Sequence, residues 1–243
     1  MSRVVCFHGA DHKCGVTMLT QCVAERISQL EPSLKVLLVH SEGRGGTDYS
    51  PMVSESMENI KPYLSGKLLD PAELLGRARW RGNLFVIGGA GETGSIFSYH
   101  PDMGKYMIES LRGSVDVIIC DTGSEIEHGL SLGTLLAADS IYMVMTQQES
   151  AVSALENKHL LYEKLGIDAG ALIVNKHDKG SPYTVKYLAE RLGVPAGKFR
   201  TVRRSDYGIQ AETDARPLVS YSGSAFRKDI DAVAREVTAI GTL

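Results

Sequence analysis

Six short runs of apolar and β-branched residues recur along the chain, and they constrain its fold more than any other feature. They occupy residues 3–9, 35–43, 83–91, 115–123, 140–147 and 171–178. A strand with one face in water would alternate apolar and polar residues, whereas most positions in these runs are apolar. The runs therefore predict strands buried between layers of helices, which is typical of a parallel sheet.

Helical patterns separate these runs. Apolar residues recur at intervals of three and four over residues 17–29, 102–111, 151–165 and 184–192, and a last helical segment is expected at 224–239. Alternating strands and helices predict an α/β three-layer sandwich around a mainly parallel, largely buried sheet. The 243 residues contain no internal repeat and no linker, so we expect a single domain over residues 1–243.

The composition excludes several classes of protein. Hydrophobic residues at 43% and charged residues at 23% are globular values and argue against a disordered chain. The net charge is −3 and the basic residues are dispersed, so no extended nucleic-acid footprint is indicated. No apolar run approaches the roughly 20 residues of a membrane span. The four cysteines form no CxxC pair, which favours a reducing cytoplasm.

Residues 43–81 are the least regular segment of the sequence. They begin with a glycine-rich stretch, contain Lys61-Pro62, and end with a short helical pattern that Asp70-Pro71 opens and that runs through residue 78. Two interpretations remain open. The segment is either an excursion over the carboxyl edge of the sheet, where open α/β folds bind ligands, or a long solvated connection.

The first predicted strand leads directly into a loop and a helix, the arrangement that forms a phosphate-binding loop. Aligning residues 15–17 with the G-K-[ST] that ends such a loop keeps Gly15 for close approach to phosphate and Thr17 for Mg²⁺. Val16 replaces the lysine that would reach the phosphates. An ordinary βα turn explains the same residues. The candidate nucleotide contacts in this segment are Gly9, Lys13, Cys14, Gly15, Val16, Thr17 and Met18.

A candidate carboxylate ends the fourth apolar run. Asp121 follows VDVIIC directly, the form of a Walker B aspartate that holds Mg²⁺ through water. An aspartate that only caps a turn is the simpler explanation. The position of Asp121, followed by Thr122-Gly123, favours the Walker B explanation. We therefore predict Thr17 and Asp121 as metal ligands.

Six stretches stand in an order shared with one group of P-loop proteins: HGADHKCGVTMLTQCVAERI, KVLLVHSEG, VDVIICDTG, LLAADSIYMVMTQQESAV, IVNKHD and RPLV. Together they resemble the MinD/ParA branch with a deviant Walker A motif, and within it the CpaE/TadZ pilus-assembly proteins. The resemblance covers nearly the whole chain. It implies a P-loop NTPase-like sheet of seven or eight strands, ATP held in a face-to-face homodimer, and work with protein partners of a pilus or secretion assembly.

The chain departs from that family's K-G-G-x-G-K-[ST] loop at its charged positions. Asp11 replaces the lysine that reaches across the dimer, and Val16 replaces the second lysine. His12 and Lys13 replace two glycines, and their Cβ atoms restrict a tight cradle. Each lost lysine removes a charge-assisted contact of roughly 1.5–3 kcal/mol, or about 10- to 150-fold in affinity. Lys13 either folds back as a substitute or is simply solvated.

Two carboxylates remain as candidate catalytic residues. The D-x-D that ends the family's second strand is matched by His40 and Glu42, so Glu42 alone could orient water beside Asp121. The sequence does not decide whether the chain is an enzyme. The favoured function is a localisation or assembly factor with weak or absent nucleotide binding, and a slow Mg-dependent ATPase is the alternative. The cofactor is accordingly ATP with Mg²⁺, or none.

The segment Asn175-Lys176-His177-Asp178 bears on which base would bind. The resemblance assigns Asn175 to the adenine edge. The same residues spell the N-K-x-D of GTPases, in which Asp178 would pair with guanine N–H groups. A GTPase is therefore the second alternative function, and a turn that only closes the strand is a third explanation of the segment.

Three histidines and one cysteine suggest other chemistry. His8, His12 and His40 are expected near Cys14, which suits zinc, but no local metal-binding spacing supports such a site, and ordinary polar histidines are favoured. Cys14 could be a nucleophile if its pKa were lowered, although no partner is identifiable and an inert thiol is favoured. Partner-binding candidates are residues 43–81 and the basic run 198–204. Such a partner would recruit this cytoplasmic protein to a membrane or pole.

Overall fold

The computed structural model describes residues 2–42, 53–89, 99–221 and 223–239, and these form one eight-stranded sheet flanked by helices. The strands are β1 (Arg3–Gly9), β2 (Val36–His40), β3 (Arg79–Arg81), β4 (Leu84–Ile87), β5 (Val117–Asp121), β6 (Ser140–Met145), β7 (Ala171–His177) and β8 (Phe199–Arg203). The α-helices in this part of the chain are α1 (Val16–Leu30), α2 (Met57–Gly66), α3 (Pro71–Ala78), α4 (Pro101–Leu111), α5 (Gly129–Leu136), α6 (Glu149–Lys164), α7 (Val185–Leu192), α8 (Gly208–Thr213) and α9 (Ser224–Ala239).

The strand order is β3-β4-β2-β5-β1-β6-β7-β8. Every neighbouring pair is parallel except β3 and β4, which are antiparallel. Parallel neighbours require long crossovers, and the helices between the strands supply them. The predicted α/β fold with a mainly parallel sheet of seven or eight strands is confirmed.

Side chains of β1 show that helices cover both faces of the sheet. On one face, Cys6 Sγ lies 3.6 Å from the carbonyl oxygen of Thr134 in α5. On the other face, the Phe7 ring stacks on Tyr142 at 5.1 Å, and the Tyr142 hydroxyl donates to Glu236 of α9 at 3.0 Å. Successive strand residues point to opposite faces, so the sheet is the middle one of three layers.

Residues 53–81 are more regular than their sequence indicates, and residues 43–52 lie outside the described residues. The predicted short helix that Asp70-Pro71 opens is confirmed as α3, whereas α2 and the edge strand β3 are elements that the sequence pattern does not predict. Ser56 caps α2, which contains Pro62, and Asp70 caps α3 by accepting from two backbone N–H groups. Helix α5 likewise has no counterpart among the helices that the sequence pattern predicts. No described helix is both long and apolar enough to cross a bilayer.

Helices α4 and α5 pack backbone to backbone through two glycines. A Cβ atom at Gly133 would overlap the carbonyl oxygen of Pro101, and one at Gly104 would overlap that of Leu130. Because interiors are close-packed, even a methyl group would force the helices apart.

We expect Gly133→Ala to lower the free energy of unfolding by about 2 kcal/mol, in the range typical of overpacking. The matched control is Gly76→Ala in α3, where an added Cβ meets nothing within 4 Å. This control should be neutral or stabilising by up to about 1 kcal/mol, because alanine has the higher helix propensity. Urea unfolding measures both, and equal effects of the two variants would contradict the tight α4–α5 packing.

Candidate functional site

The carboxyl ends of β1, β2 and β5 meet at one edge of the sheet and surround a cleft of about 220 Å³. It is lined by Asp11, His12, Lys13, Cys14, Gly15, Val16, Thr17, Met18, Glu42, Gly123, Ser124, Glu125 and His128. The structure thus brings together the predicted loop residues 13–18 and Glu42. Asp121 ends β5 close to this cleft and is fully buried.

Backbone hydrogen bonds hold the loop between β1 and α1. Gly9 N–H donates to the Gly123 carbonyl at 2.6 Å, and Ala10 N–H donates to the Val144 carbonyl at 2.8 Å. Gly15 has φ of 80°, a left-handed conformation that favours glycine. As the N-cap of α1 it offers no side-chain oxygen to the first N–H groups of the helix. Such N–H groups are the ones that bind anions at helix N-termini.

The end of β7 braces this loop from the side, a role that sequence analysis did not predict. Asn175 Nδ2 donates to the Cys14 carbonyl at 2.8 Å, and Lys176 Nζ donates to the Lys13 carbonyl at 2.9 Å. A Cβ atom at Gly15 would lie only 2.8 Å from Asn175 Nδ2. The amide nitrogen of Asn175 is therefore used to hold the loop.

A larger cleft of about 790 Å³ adjoins the loop on this side. Asn175 and Asp178, the predicted base-reading residues, both line it. Asp178 Oδ1 accepts from the Gly180 N–H at 2.8 Å, within its own turn. The structure brings the two residues to one cleft, and their role toward a base stays a prediction.

Glu125 is a site residue that sequence analysis missed. Its carboxylate oxygens lie 3.0 Å from His12 Nε2 and 3.0 Å from His128 Nε2. The other ring nitrogen of His128 lies 2.9 Å from the carbonyl oxygen of Glu42. A carboxylate therefore lies in the cleft beside the loop. Its place in the first segment after β5 is the one sequence signal that could have found it.

Asp121 and His40 form a buried pair beside the cleft. Asp121 Oδ2 lies 3.3 Å from His40 Nδ1, and Asp121 Oδ1 accepts from the Gly123 N–H at 3.0 Å. Gly123 has φ of 59°, and a Cβ there would lie 2.9 Å from the Cβ of Glu42. Glycine at this position lets Glu42 approach the end of β5.

Three solved structures share this architecture. A ParA family ATPase from Chlorobium tepidum aligns with a TM-score of 0.83 and 20% identity over 96% of this chain and 98% of that one. The septum site-determining protein MinD from Pyrococcus horikoshii, complexed with Mg-ADP, aligns with a TM-score of 0.80 and 16% identity over 100% of this chain and 98% of that one. The MinC:MinD complex from Aquifex aeolicus aligns with a TM-score of 0.79 and 16% identity over 100% of this chain and 98% of that one. The chain has the fold of the ParA and MinD ATPases.

Sequence comparison adds no closer assignment. No protein-family model matches the chain, and no curated protein matches it. At 16–20% identity the structural likeness shows the fold alone. Nucleotide binding by this chain therefore depends on its own residues.

The residues present fit magnesium-bound phosphate only in part. The N-terminus of α1 and Thr17 line the cleft, and Asp121 lies close by, as a Mg-phosphate site requires. The positive charge is deficient: Val16 is an apolar side chain only 7% exposed, and Asp11 Oδ1 accepts from the His12 N–H at 2.7 Å in the same loop. The cleft can offer backbone N–H groups to an anion, but few positively charged side chains.

The hypotheses of a three-histidine metal site and a reactive cysteine are not supported. His8 contacts Thr122 and Tyr162, and His12 contacts Glu125, so neither joins His40. His8 and His12 thus make ordinary polar contacts with their neighbours. Cys14 is buried, and burial raises the pKa of its thiol, so the thiolate that a nucleophile needs is disfavoured.

His8 is a buried neutral histidine. Burial lowers its pKa from 6.5 to about 4, and the nearby charge of Lys158 contributes to the same shift. The unfolded chain binds a proton near pH 6.5, whereas the folded chain does so only near pH 4. The contribution of neutral His8 to the free energy of unfolding is therefore fully present above pH 6.5 and is lost as pH falls from 6.5 towards 4.

Replacing His8 tests this linkage. Lowering the pH from 7 to 4.5 should reduce the free energy of unfolding by about 2 kcal/mol through His8 alone. In His8→Gln the total decrease over this range should be smaller by that amount. Urea unfolding at the two pH values measures it. His159→Gln, on the exposed side of α6, is the control and should behave as the wild type. A pH dependence that is unchanged in His8→Gln would contradict a neutral buried His8.

Proposed function

We propose that this chain is a localisation or assembly factor on a ParA/MinD fold, with weak or absent nucleotide binding. The observation that carries the proposal is the loop between β1 and α1, which has Asp11 and Val16 at the two positions where lysines would neutralise phosphate. The loop is held by backbone contacts that need no ligand. Such a protein would act through its surface rather than through turnover.

The charge around the cleft supports this proposal. Three carboxylates line it, those of Asp11, Glu42 and Glu125, against one lysine, Lys13. Lys176 is close by, but its ammonium donates to a loop carbonyl. A polyphosphate entering this cleft would meet more negative than positive side chains, which costs affinity.

The expected partners are proteins of a pilus or secretion assembly, in line with the resemblance to CpaE/TadZ proteins. One similar structure, the MinC:MinD complex, pairs this fold with another protein, which supports a protein partner. We also propose a homodimer and recruitment to a membrane or pole by that partner. The run 198–204 is less basic at its surface than its sequence indicates, because Arg200 pairs with Glu236 and Arg203 with Asp229, each at 2.6 Å.

A slow Mg-dependent ATPase is the second candidate function, because Thr17 and Glu42 line one cleft and Asp121 lies close by. In this alternative Thr17 and Asp121 hold Mg²⁺ and Glu42 orients water. A GTPase would additionally require Asp178 to leave its turn contact with Gly180 and pair with guanine. These alternatives predict different ligands and rates.

The deciding experiment is a titration of labelled ATP and GTP, with and without Mg²⁺, together with a turnover assay. We expect ATP binding no tighter than the millimolar range, and turnover indistinguishable from that of the double variant Thr17→Ala, Asp121→Ala. A Mg-dependent ATP rate that disappears in the double variant would establish the ATPase instead. Preference for GTP that is lost in Asp178→Asn would establish the GTPase.

Restoring one charge tests whether the loop is a latent phosphate cradle. Val16→Lys should strengthen ATP binding about ten-fold or more, the level of one charge-assisted contact. Val16→Met is the matched control, because it adds an unbranched chain without charge at the same buried position. Calorimetry measures both variants, and thermal unfolding checks that they fold. Equal affinities would show that His12 and Lys13 have reshaped the loop.

A further inference from the structure

His40, Glu42 and Asp121 form a cluster of metal-ligating groups that uses no residue of the phosphate loop. One ligand atom from each lies within 4.8 Å of the other two. The parallel register places His40 directly beside Asp121, and Glu42 follows two residues after His40. Gly123 leaves the space in which Glu42 approaches them. We propose that these three side chains bind a transition-metal dication of the zinc class.

The geometry of the buried pair suits such an ion. His40 Nδ1 and Asp121 Oδ2 are 3.3 Å apart. Two ligands that each lie about 2.1 Å from one zinc ion, at a near-tetrahedral angle, are separated by about 3.4 Å. One ion can therefore contact both atoms with little change in the backbone. The carboxylate of Glu42 would complete three protein ligands and leave a position for water or an anion.

The donor set selects the class of metal. Magnesium and calcium are bound by oxygen atoms, whereas an imidazole favours zinc and its first-row neighbours. A magnesium site of the predicted kind would use Thr17 and Asp121. The proposed site uses His40 in place of the threonine hydroxyl, so it differs both in residues and in metal.

Burial and hydrogen bonding support a ligand role for His40. The ring is fully buried, and its Nε2 has no hydrogen-bond partner among the residues that the structure describes. Buried polar atoms without partners cost stability and require an explanation. A metal bond through Nδ1 does not pair Nε2, so the ligand role of His40 rests on the burial of the ring and on the position of Nδ1 beside Asp121.

The surroundings provide both support and access. The Gly123 N–H donates to Asp121 Oδ1, and His128 contacts the backbone of Glu42, so two of the ligand residues are oriented by neighbours. Glu42 is half-buried and lines the 220 Å³ cleft, which gives an ion its entry path. A dication here would also offset the negative charge of the cleft.

The test uses the full chain, stripped of metal by a chelator, in buffer without nucleotide. Its outcome is therefore independent of the proposed function. Calorimetry with Zn²⁺ should show one ion per chain, and Co²⁺ in its place should give the strong visible absorption of a low-symmetry site. Excess Mg²⁺ should not displace either ion.

Three variants assign the ligands. His40→Ala and Glu42→Gln should each weaken Zn²⁺ binding by about 100-fold and reduce the Co²⁺ absorption. Loss of a residue that only hydrogen-bonds to a metal ligand already weakens binding by up to about 100-fold, so loss of a ligand should reach that level. The control is His12→Ala, an exposed histidine of the same cleft, which should bind as the wild type does. Thermal unfolding without metal checks the fold. If His40→Ala does not fold, the half-buried Glu42→Gln decides.

Three results would overturn the proposal. The first is the lack of stoichiometric Zn²⁺ binding. The second is binding that His12→Ala removes and Glu42→Gln leaves unchanged, which would move the metal to the pair of His12 and Glu125. The third is displacement of the bound ion by excess Mg²⁺, which would indicate an oxygen-ligand site instead.

Discussion

The parallel register of β1, β2 and β5 is the constraint on which the rest of the site depends. Asp121 is paired with Phe7 of β1 on one side and with His40 of β2 on the other. Because the three strands run in the same direction, all three following loops leave the sheet at the same edge. The phosphate-type loop, Glu42 and residues 123–128 therefore surround one cleft, whatever chemistry the side chains carry.

Contacts to its backbone N–H and carbonyl groups hold the loop after β1, and they do not depend on lysines at the Walker A-like positions 11 and 16. The Gly123 carbonyl accepts from Gly9 at the end of β1, the Val144 carbonyl accepts from Ala10, and Asn175 and Lys176 donate to carbonyls of the loop. These contacts do not involve Asp11 or Val16. The charge of the loop can thus change while its conformation is preserved, which is why the ParA/MinD fold is compatible with a loop that lacks the lysines.

Sequence patterns predicted six of the eight strands and most helices, because burial on both faces produces long apolar runs and amphipathic helices repeat their apolar positions. The helix α2 was missed because Pro62 lies inside it, where packing against α4 and the Ser56 cap override a local breaker. The helix α5 was missed because its mostly apolar sequence, GLSLGTLL, has little amphipathic contrast. In both cases tertiary packing decides what local preference does not.

The sequence predicts which strand ends meet at the candidate site, but not the side-chain contacts within it. The residues at the ends of β1, β2 and β5 were expected to meet, and they do. The contacts of Glu125 with two histidines, and the use of Asn175 to hold the loop, depend on side-chain positions that no spacing encodes. The same limit applies to the histidines: His8 and His40 both belong to strands that end at this edge, yet His8 points to Tyr162 in α6. Alternation along the strand separates them from one another.

The residues that carry the proposal of weak phosphate binding also bear on which ions the cleft favours. Asp11, Glu42 and Glu125 make its lining acidic, and His40 places an imidazole beside the buried carboxylate of Asp121. An acidic site repels a polyphosphate and attracts a cation, and an imidazole within it discriminates against magnesium. Since Glu42 both lines the cleft and belongs to the cluster, a bound dication would connect the two. Any anion that enters the cleft would then meet the positive charge of the metal in addition to that of Lys13.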